Sequence, residues 1–192
     1  MNNIKTRMRA SLCVASLSLS FAAAAHVQDG RLGAYVEGGQ SFSSPNDTDV
    51  LSIGLVMPWS WRPAPEATEP KPLSFYWDFF LSTWRAPQIG GGRGSYTQGG
   101  VIATWRWRFD QGQSPWFAEA GLGGTVMDSL YRTPDREFTT TFQFTELLGV
   151  GRSFGSQDEH ELSLRVQHFS NAGIKRPNPG ENFVRVRYLY RF

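Results

Sequence analysis

The chain has 192 residues, of which 40% are hydrophobic and 19% are charged, and its formal net charge is +2. Three of its 19 cations, Lys5, Arg7 and Arg9, lie in the first 25 residues, which hold no acid. Removing them leaves 16 basic and 17 acidic residues in residues 26–192, so this part carries about −1. The balance argues against a nucleic-acid-binding protein, which needs a basic surface. The one cysteine, Cys13, rules out a four-cysteine zinc site.

Residues 1–25 have the three parts of a secretory signal peptide. A polar, basic start is followed by a small apolar run and by four consecutive alanines that end at Ala25 and offer an A-x-A cleavage site. The alternative is a short membrane anchor, but the apolar run is well short of the roughly 20 residues that a spanning helix needs. Cleavage after Ala25 removes Cys13, and residues 26–192 then form the mature domain, without a disulfide.

Beyond residue 25 the sequence alternates between apolar and polar residues, with turn residues between the alternating segments. A period of two is typical of β-strands. The fourth segment is an example, in which Trp105 and Trp107 alternate with Arg106 and Arg108. Eight strands are predicted, over residues 31–40, 49–58, 73–84, 97–110, 115–126, 138–153, 160–170 and 183–192.

The segments between the predicted strands are rich in residues that interrupt strands. Residues 111–115 and 155–159 are short polar turns, and the proline-rich residues 58–72 form a longer turn. Residues 85–96 contain a run of glycines without the Gly-Lys-Ser/Thr ending of a phosphate loop, so we interpret them as a flexible loop.

Alternation alone does not separate a soluble sandwich, with its apolar face inside, from a membrane barrel, with its apolar face toward lipid. In the last strand the even-numbered residues from Val184 to Phe192 are apolar or aromatic on one face, with Arg185, Arg187 and Arg191 on the other. A final strand that ends in Phe resembles the C-terminal signal of bacterial outer-membrane barrels, although an ordinary edge strand is the alternative. Together with the signal peptide it predicts an all-β fold, an eight-stranded antiparallel transmembrane β-barrel, whose closure removes the exposed edge.

A barrel of eight strands is filled by its own side chains, so the sequence predicts a polar plug and no pore. Arginines on the polar faces of the strands are expected to pair there with Asp78 and Glu119. These arginines are Arg106, Arg108, Arg165, Arg185 and Arg187.

The seventh predicted strand ends in two polar residues on its apolar face. Leu162, Leu164 and Val166 are followed on this face by His168 and Ser170. Residues two apart on a strand share a face, so the two polar side chains can interact outside the barrel, near a membrane interface. A histidine can take the proton of a serine, which is otherwise a poor nucleophile. The pair indicates an esterase that attacks a lipid; the alternative is that both residues only mark the end of the lipid-facing band.

Residues 168–182, which read HFSNAGIKRPNPGEN, resemble the signature of the lipid A 3-O-deacylase family of the PagL type. Members are eight-stranded outer-membrane barrels that hydrolyse the ester-linked 3-hydroxyacyl chain at position 3 of lipid A with a Ser-His-Glu triad on the outer barrel surface. The resemblance implies that Ser170 is the nucleophile, His168 the general base, and Glu181 the acid that orients His168. It also implies an oxyanion hole built from the three residues after the nucleophile, Asn171, Ala172 and Gly173.

Glu146 competes with Glu181 for the role of the acid. It lies on the apolar face of the sixth predicted strand, and a tight turn between the sixth and seventh strands would place it opposite His168. A carboxylate on the lipid face costs about 1–3 kcal/mol unless it has a partner. Glu146 is therefore either a second acid for the site or a residue that a bulge turns into the lumen, and the motif favours Glu181.

The resemblance further implies the bacterial outer membrane as the location, with the active site toward the outer leaflet, where lipopolysaccharide lies. There Lys175 and Arg176 either pair with lipid A phosphates or act as ordinary loop cations. The expected partners are lipid A, the membrane and a second copy in a homodimer, and no nucleic acid, metal or cofactor is expected. The alternative function is that of a non-enzymatic small barrel, an adhesin or an envelope anchor.

Overall fold

The computed structural model describes residues 30–43, 47–59 and 71–192. Each strand pairs in antiparallel fashion with its neighbours in sequence, and the first strand also pairs with the last, so the sheet closes into a barrel. The predicted eight-stranded antiparallel β-barrel is thus confirmed. The strands are β1 (Gly33–Ser41), β2 (Asp49–Pro58), β3 (Leu73–Pro87), β4 (Arg93–Arg108), β5 (Trp116–Met127), β6 (Phe142–Phe154), β7 (His160–Ser170) and β8 (Glu181–Arg191), with a 3-10 helix (Asp110–Gly112) between β4 and β5.

Two predicted features fall outside the described residues. These are the signal peptide over residues 1–25, with its boundary to the mature domain, and residues 60–70 of the proline-rich turn. In the described ranges, no helix is long and apolar enough to cross a membrane.

The apolar face of the alternation points outward. Leu51, Leu81 and Leu148 are more than half exposed, although each lies within a strand. A continuous apolar surface of this kind is stable against lipid and not against water. The fold is therefore that of a transmembrane barrel, and the soluble sandwich is excluded.

The interior of the barrel is filled by buried ion pairs, as the polar-plug prediction requires. Arg165 has Nη1 3.2 Å from Glu37 and 3.3 Å from Asp78, and its Nε lies 2.9 Å from Glu119. Arg187 bridges Glu37 and Asp78, at 2.7 Å from each. The predicted arginines are all buried. Three further members of this network were not predicted, namely Glu37, Glu161 and Arg191.

An aromatic cluster closes one end of the barrel, the end at which β7 stops, which we call the barrel mouth. The Trp84 ring centroid lies 4.9 Å from that of Phe169 and 4.5 Å from that of Phe183. Tyr131 and Phe138, from the loop between β5 and β6, pack edge-on against the same ring. The cluster fixes the ends of the strands that carry the candidate site.

Several predicted boundaries at the barrel mouth are wrong, including the start of the eighth strand, which lies at Glu181 instead of residue 183. The sixth strand begins at Phe142 instead of residue 138, because the Phe138 side chain is buried in the aromatic cluster. The flexible loop predicted over residues 85–96 is confined to residues 88–92, because β3 and β4 stay paired up to that turn. The glycine-rich segment therefore forms a turn of five residues, shorter than the loop of twelve residues that was predicted.

Candidate active site

The strand β7 carries the two candidate catalytic residues to the barrel mouth. His168 and Ser170 are both half-buried and lie on its outward face, as the alternation predicts. On β6, Glu146 lies opposite His168 and Phe144 lies opposite Ser170. On β8, Asn182 lies opposite His168. The site is therefore built from three adjacent strands on the lipid-facing surface.

A hydrogen bond fixes the ring of His168. Its Nδ1 lies 2.7 Å from Oδ1 of Asn182. An amide oxygen accepts and does not donate, so Nδ1 is the donor in this contact. In a neutral imidazole this contact leaves Nε2 as the acceptor nitrogen, which is the nitrogen that can take a proton. Asn182 was not predicted as a site residue, although it shares the parity of the outward-facing Val184.

In the part of the chain that the structure describes, no hydrogen bond or ion pair joins Glu181 to His168, contrary to the geometry predicted for the triad. In the register of β7 and β8 Glu181 pairs with Phe169, and its side chain is fully buried inside the barrel. The physical reason is the alternation along β8, because Glu181 shares the inward face with Arg185 and Arg187. The acid indicated by the motif therefore lies behind the site.

Inside the barrel mouth, Glu181 is held by groups from two other segments. Its Oε1 accepts a hydrogen bond from Ser43 Oγ, and its Oε2 accepts one from the Tyr131 hydroxyl at 3.1 Å. Burial, and then the nearby carboxylate, raise the pKa of Tyr131, so the hydroxyl stays protonated and donates. Arg136 Nε lies 3.6 Å from Oε2, and Arg136 also donates to the carbonyl of Gly180 at 2.5 Å. Glu181 thus ties three loops together at the mouth.

Ser170 Oγ accepts a hydrogen bond from the backbone N–H of Ala172 at 3.4 Å. Within the described residues, no hydrogen bond joins Ser170 to His168. Strand geometry separates their Cα atoms by about 6.6 Å on one face, a span within reach of an imidazole side chain. Hydrogen bonds of this kind often tighten only when substrate binds. The structure therefore brings the two residues to one surface without joining them.

The Asn171 side chain organises the loop that follows Ser170. It is buried, and its Oδ1 accepts a hydrogen bond from the backbone N–H of Gly173 at 2.9 Å. Its Nδ2 donates to the carbonyl of Lys175 at 2.8 Å. These bonds engage the Asn171 amide and the Gly173 N–H within the loop, which differs from the predicted three-residue oxyanion hole. The Ala172 N–H points toward Ser170 Oγ and makes no other hydrogen bond within the loop in the part of the chain that the structure describes.

Glu146 lies opposite His168, as the tight turn predicts, and no bulge turns it into the lumen. Its side chain is exposed on the outer face. Across the part of the chain that the structure describes, no hydrogen bond or ion pair holds it. Glu146 is therefore a neighbour of the site without the contact that orients His168.

Comparison with known proteins decides the family. The model of the family described as lipid A 3-O-deacylase (PagL) matches residues 49–191. The chain belongs to the PagL family.

Two curated relatives carry the name lipid A deacylase PagL. The protein of Bordetella bronchiseptica is 37% identical over 99 residues, which are 52% of this chain and 52% of the relative. The protein of Pseudomonas aeruginosa is 27% identical over 130 residues, 68% of this chain and 72% of the relative. The chain thus spans about half the length of the first relative. A crystal structure of the outer membrane enzyme PagL shares the fold, with a TM-score of 0.59 and 22% identity over 83% of this chain and 99% of that one.

Gly180, in the PagL signature segment, lies against the ring of His168. A Cβ added at Gly180 would lie 2.6 Å from Cε1 of His168, and the φ angle of Gly180 is +65°. We expect Gly180→Ala to displace the ring and to lower the rate of lipid A deacylation about 10²-fold. The measurement is the release of fatty acid from lipid A by the purified barrel in detergent.

Gly92→Ala is the matched control for this variant. Gly92 also has a positive φ, of +75°, but a Cβ added there meets no atom within 4 Å. It shares the backbone strain without the contact, so its activity is expected to stay close to that of the wild type. Equal losses in the two variants would attribute the effect to strain and would contradict the role of Gly180 in holding the ring.

Proposed function

We propose that this protein hydrolyses the ester bond of the 3-hydroxyacyl chain at position 3 of lipid A. The observation that carries the proposal is the presence of Ser170 and His168 on the lipid-facing surface of a barrel of the PagL family. A site that opens toward lipid favours an ester embedded in a lipid as its substrate. The two relatives named lipid A deacylase support lipid A as that lipid.

We infer that the barrel lies in the bacterial outer membrane with its site toward the outer leaflet. β1 begins and β8 ends at one end of the barrel, and β7 ends at the other. In the orientation that we propose, the start of β1 and the end of β8 face the periplasm. Ser170 then lies at the outer leaflet, close to the headgroup boundary where lipid A carries its esters. Lys175 and Arg176 are exposed in the loop beyond the site, where they are suited to lipid A phosphates.

The residues suit a two-step acyl transfer. Nε2 of His168 takes the proton of the Ser170 hydroxyl while Oγ attacks the acyl carbonyl, whose oxygen becomes an oxyanion. The N–H of Ala172, which points toward Ser170 Oγ, is the donor that we assign to this oxyanion. When this tetrahedral intermediate collapses, the bond between the acyl carbon and the sugar oxygen breaks, and the sugar oxygen takes the proton from His168. Water then attacks the acyl-serine, with His168 again as the base, and releases the 3-hydroxy fatty acid.

In the proposed Ser-His-Glu set, Glu181 acts on His168 indirectly, through the neighbouring residues that it holds in place. Its carboxylate lies behind the site, and Oε1 accepts a hydrogen bond from the backbone N–H of Asn182 at 3.2 Å. A further partner of the carboxylate, Arg136, donates to the carbonyl of Gly180, which borders His168. Glu181 therefore holds the segment that surrounds the imidazole, and we assign it a positioning role.

The test is expression of the chain and of Ser170→Ala in Gram-negative cells, followed by mass spectrometry of their lipid A. We expect lipid A to lose one 3-hydroxyacyl chain with the wild type and to stay intact with Ser170→Ala, because the variant has no nucleophile. Ser95→Ala is the matched control. Ser95 is an exposed serine on β4, three strands away, and its loss is expected to leave the activity unchanged.

Intact lipid A in cells that hold the folded wild-type barrel would lead to an assay of the purified protein with lipid A in detergent. The proposal fails if the purified wild type also releases no 3-hydroxy fatty acid, or if Ser170→Ala is as active as the wild type. The non-enzymatic barrel would then be the better interpretation.

A further inference from the structure

We propose that Asn182 is the residue that orients His168 for catalysis, so that Ser170, His168 and Asn182 form the working set of this chain. The inference rests on the proposed function and assigns a positioning residue to that reaction. It is carried by the 2.7 Å contact between Nδ1 of His168 and Oδ1 of Asn182 on the outer face of the barrel.

An amide oxygen performs the two tasks that a carboxylate performs in other triads. It accepts the Nδ1 proton and so holds the tautomer in which Nε2 is the base. Its partial negative charge also faces the imidazolium that forms when Nε2 takes the serine proton. The Cys-His-Asn sets of papain-like proteases show that a neutral amide fills this position in hydrolases.

The backbone of Asn182 is anchored, which keeps the acceptor in place. Its N–H donates to Ser43 Oγ at 3.1 Å and to Glu181 Oε1 at 3.2 Å, and these two acceptors are themselves hydrogen-bonded. Gly180, two residues earlier, contacts the ring of His168. The imidazole is therefore confined between the amide and the loop before substrate binds, as a preorganised catalytic contact requires.

Two carboxylates lie near His168 in the register, and neither takes the place of the amide. Glu181 is buried on the inward face of β8 and is hydrogen-bonded to Ser43. Glu146 lies across from His168 on β6, but it is exposed and makes no hydrogen bond or ion pair within the described ranges. The contact at Nδ1 therefore belongs to Asn182.

The test is steady-state kinetics of the purified full chain in detergent with lipid A as substrate. We expect Asn182→Ala to lower kcat about 10²-fold and to change KM by less than about threefold, because the ring loses its orientation while the lipid-binding surface stays intact. Asn182→Asp restores an acceptor oxygen and is expected to keep kcat within about tenfold of the wild type. Val184→Ala, two residues along the same face of β8, is the matched control and is expected to match the wild type in both constants.

The folding of each variant is checked by its heat-dependent migration in SDS gels, so that only folded barrels are compared. Activity of the wild type together with its loss in Ser170→Ala establishes the deacylase independently of Asn182. A folded Asn182→Ala variant with the kcat of the wild type then overturns the inference. A loss confined to Glu181→Gln or Glu146→Gln also overturns it, because a carboxylate then orients the ring. An inactive wild type overturns the proposed function, and this inference with it.

Discussion

Replacing His168 with alanine is expected to lower kcat/KM for lipid A hydrolysis about 10³–10⁴-fold, because Ser170 loses the base that takes its proton. The residual rate is expected to come from lipid binding and from the oxyanion donor proposed at Ala172. The measurement is the release of 3-hydroxy fatty acid by the purified barrel in detergent, followed for long enough to detect a slow residual rate.

His160→Ala is the matched control for this prediction. His160 lies on the same outward face at the other end of β7, where its Nδ1 is 2.8 Å from the Tyr188 hydroxyl. Its loss is expected to leave the activity unchanged. The double variant of Ser170→Ala and His168→Ala should be no less active than Ser170→Ala alone, because residues that act as a unit have non-additive effects. Losses that multiply would contradict a nucleophile activated by its base.

The barrel is predictable from the sequence because alternation is a local property that recurs in every strand. The predicted ranges 49–58 and 160–170 agree with β2 and β7 to the residue. The pairing of β6 with β7 is also predictable, since the short turn over residues 155–159 fixes their register and puts Glu146 opposite His168. Local pattern and turn length thus account for most of the fold.

The motif and the strand alternation indicate different residues for the third member of the site, the one that orients His168. The motif indicates Glu181 by its residue type, whereas the alternation along β8 turns Glu181 inward and Asn182 outward. A shift of one residue reverses the face in a strand, so geometry prevails over residue type. Extended back by one residue from the predicted start of the strand, the parity of β8 places Asn182 on the outward face.

The contacts of the loops are not predictable from the sequence, because they join segments that lie far apart in the chain. Arg136 donates to the carbonyls of Ser43 and Gly180, which are 93 and 44 residues away. No periodicity relates such positions, and only closure of the barrel brings them together. The same holds for Phe138, whose apolar character continues the pattern of the sixth strand although the side chain packs in the mouth.

Replacing Arg165 with leucine is expected to lower the free energy of unfolding by about 3–5 kcal/mol. Arg165 is fully buried and lies within 3.3 Å of Glu37, Asp78 and Glu119. Leucine removes the cation and leaves carboxylates in the barrel interior with fewer partners, and a buried charge that loses its partner costs more than the pair contributes. The measurement is unfolding in urea of the barrel refolded in lipid vesicles, followed by tryptophan fluorescence.

Arg93→Leu is the matched control, because Arg93 makes a closer ion pair at the surface. Its Nη2 lies 2.6 Å from Asp49, but the two side chains are 36% and 55% exposed, so the expected loss is within about 1 kcal/mol. Equal losses in the two variants would contradict burial as the source of the effect. A loss of unfolding free energy confined to Arg165→Leu would show that the buried ion pairs stabilise the barrel. A slip of one residue in β7 or β8 would carry the inward charges of that strand, such as Arg165 or Arg187, to the lipid side and break their pairs. The interior network therefore stabilises the register that sets His168 and Ser170 on the outer face.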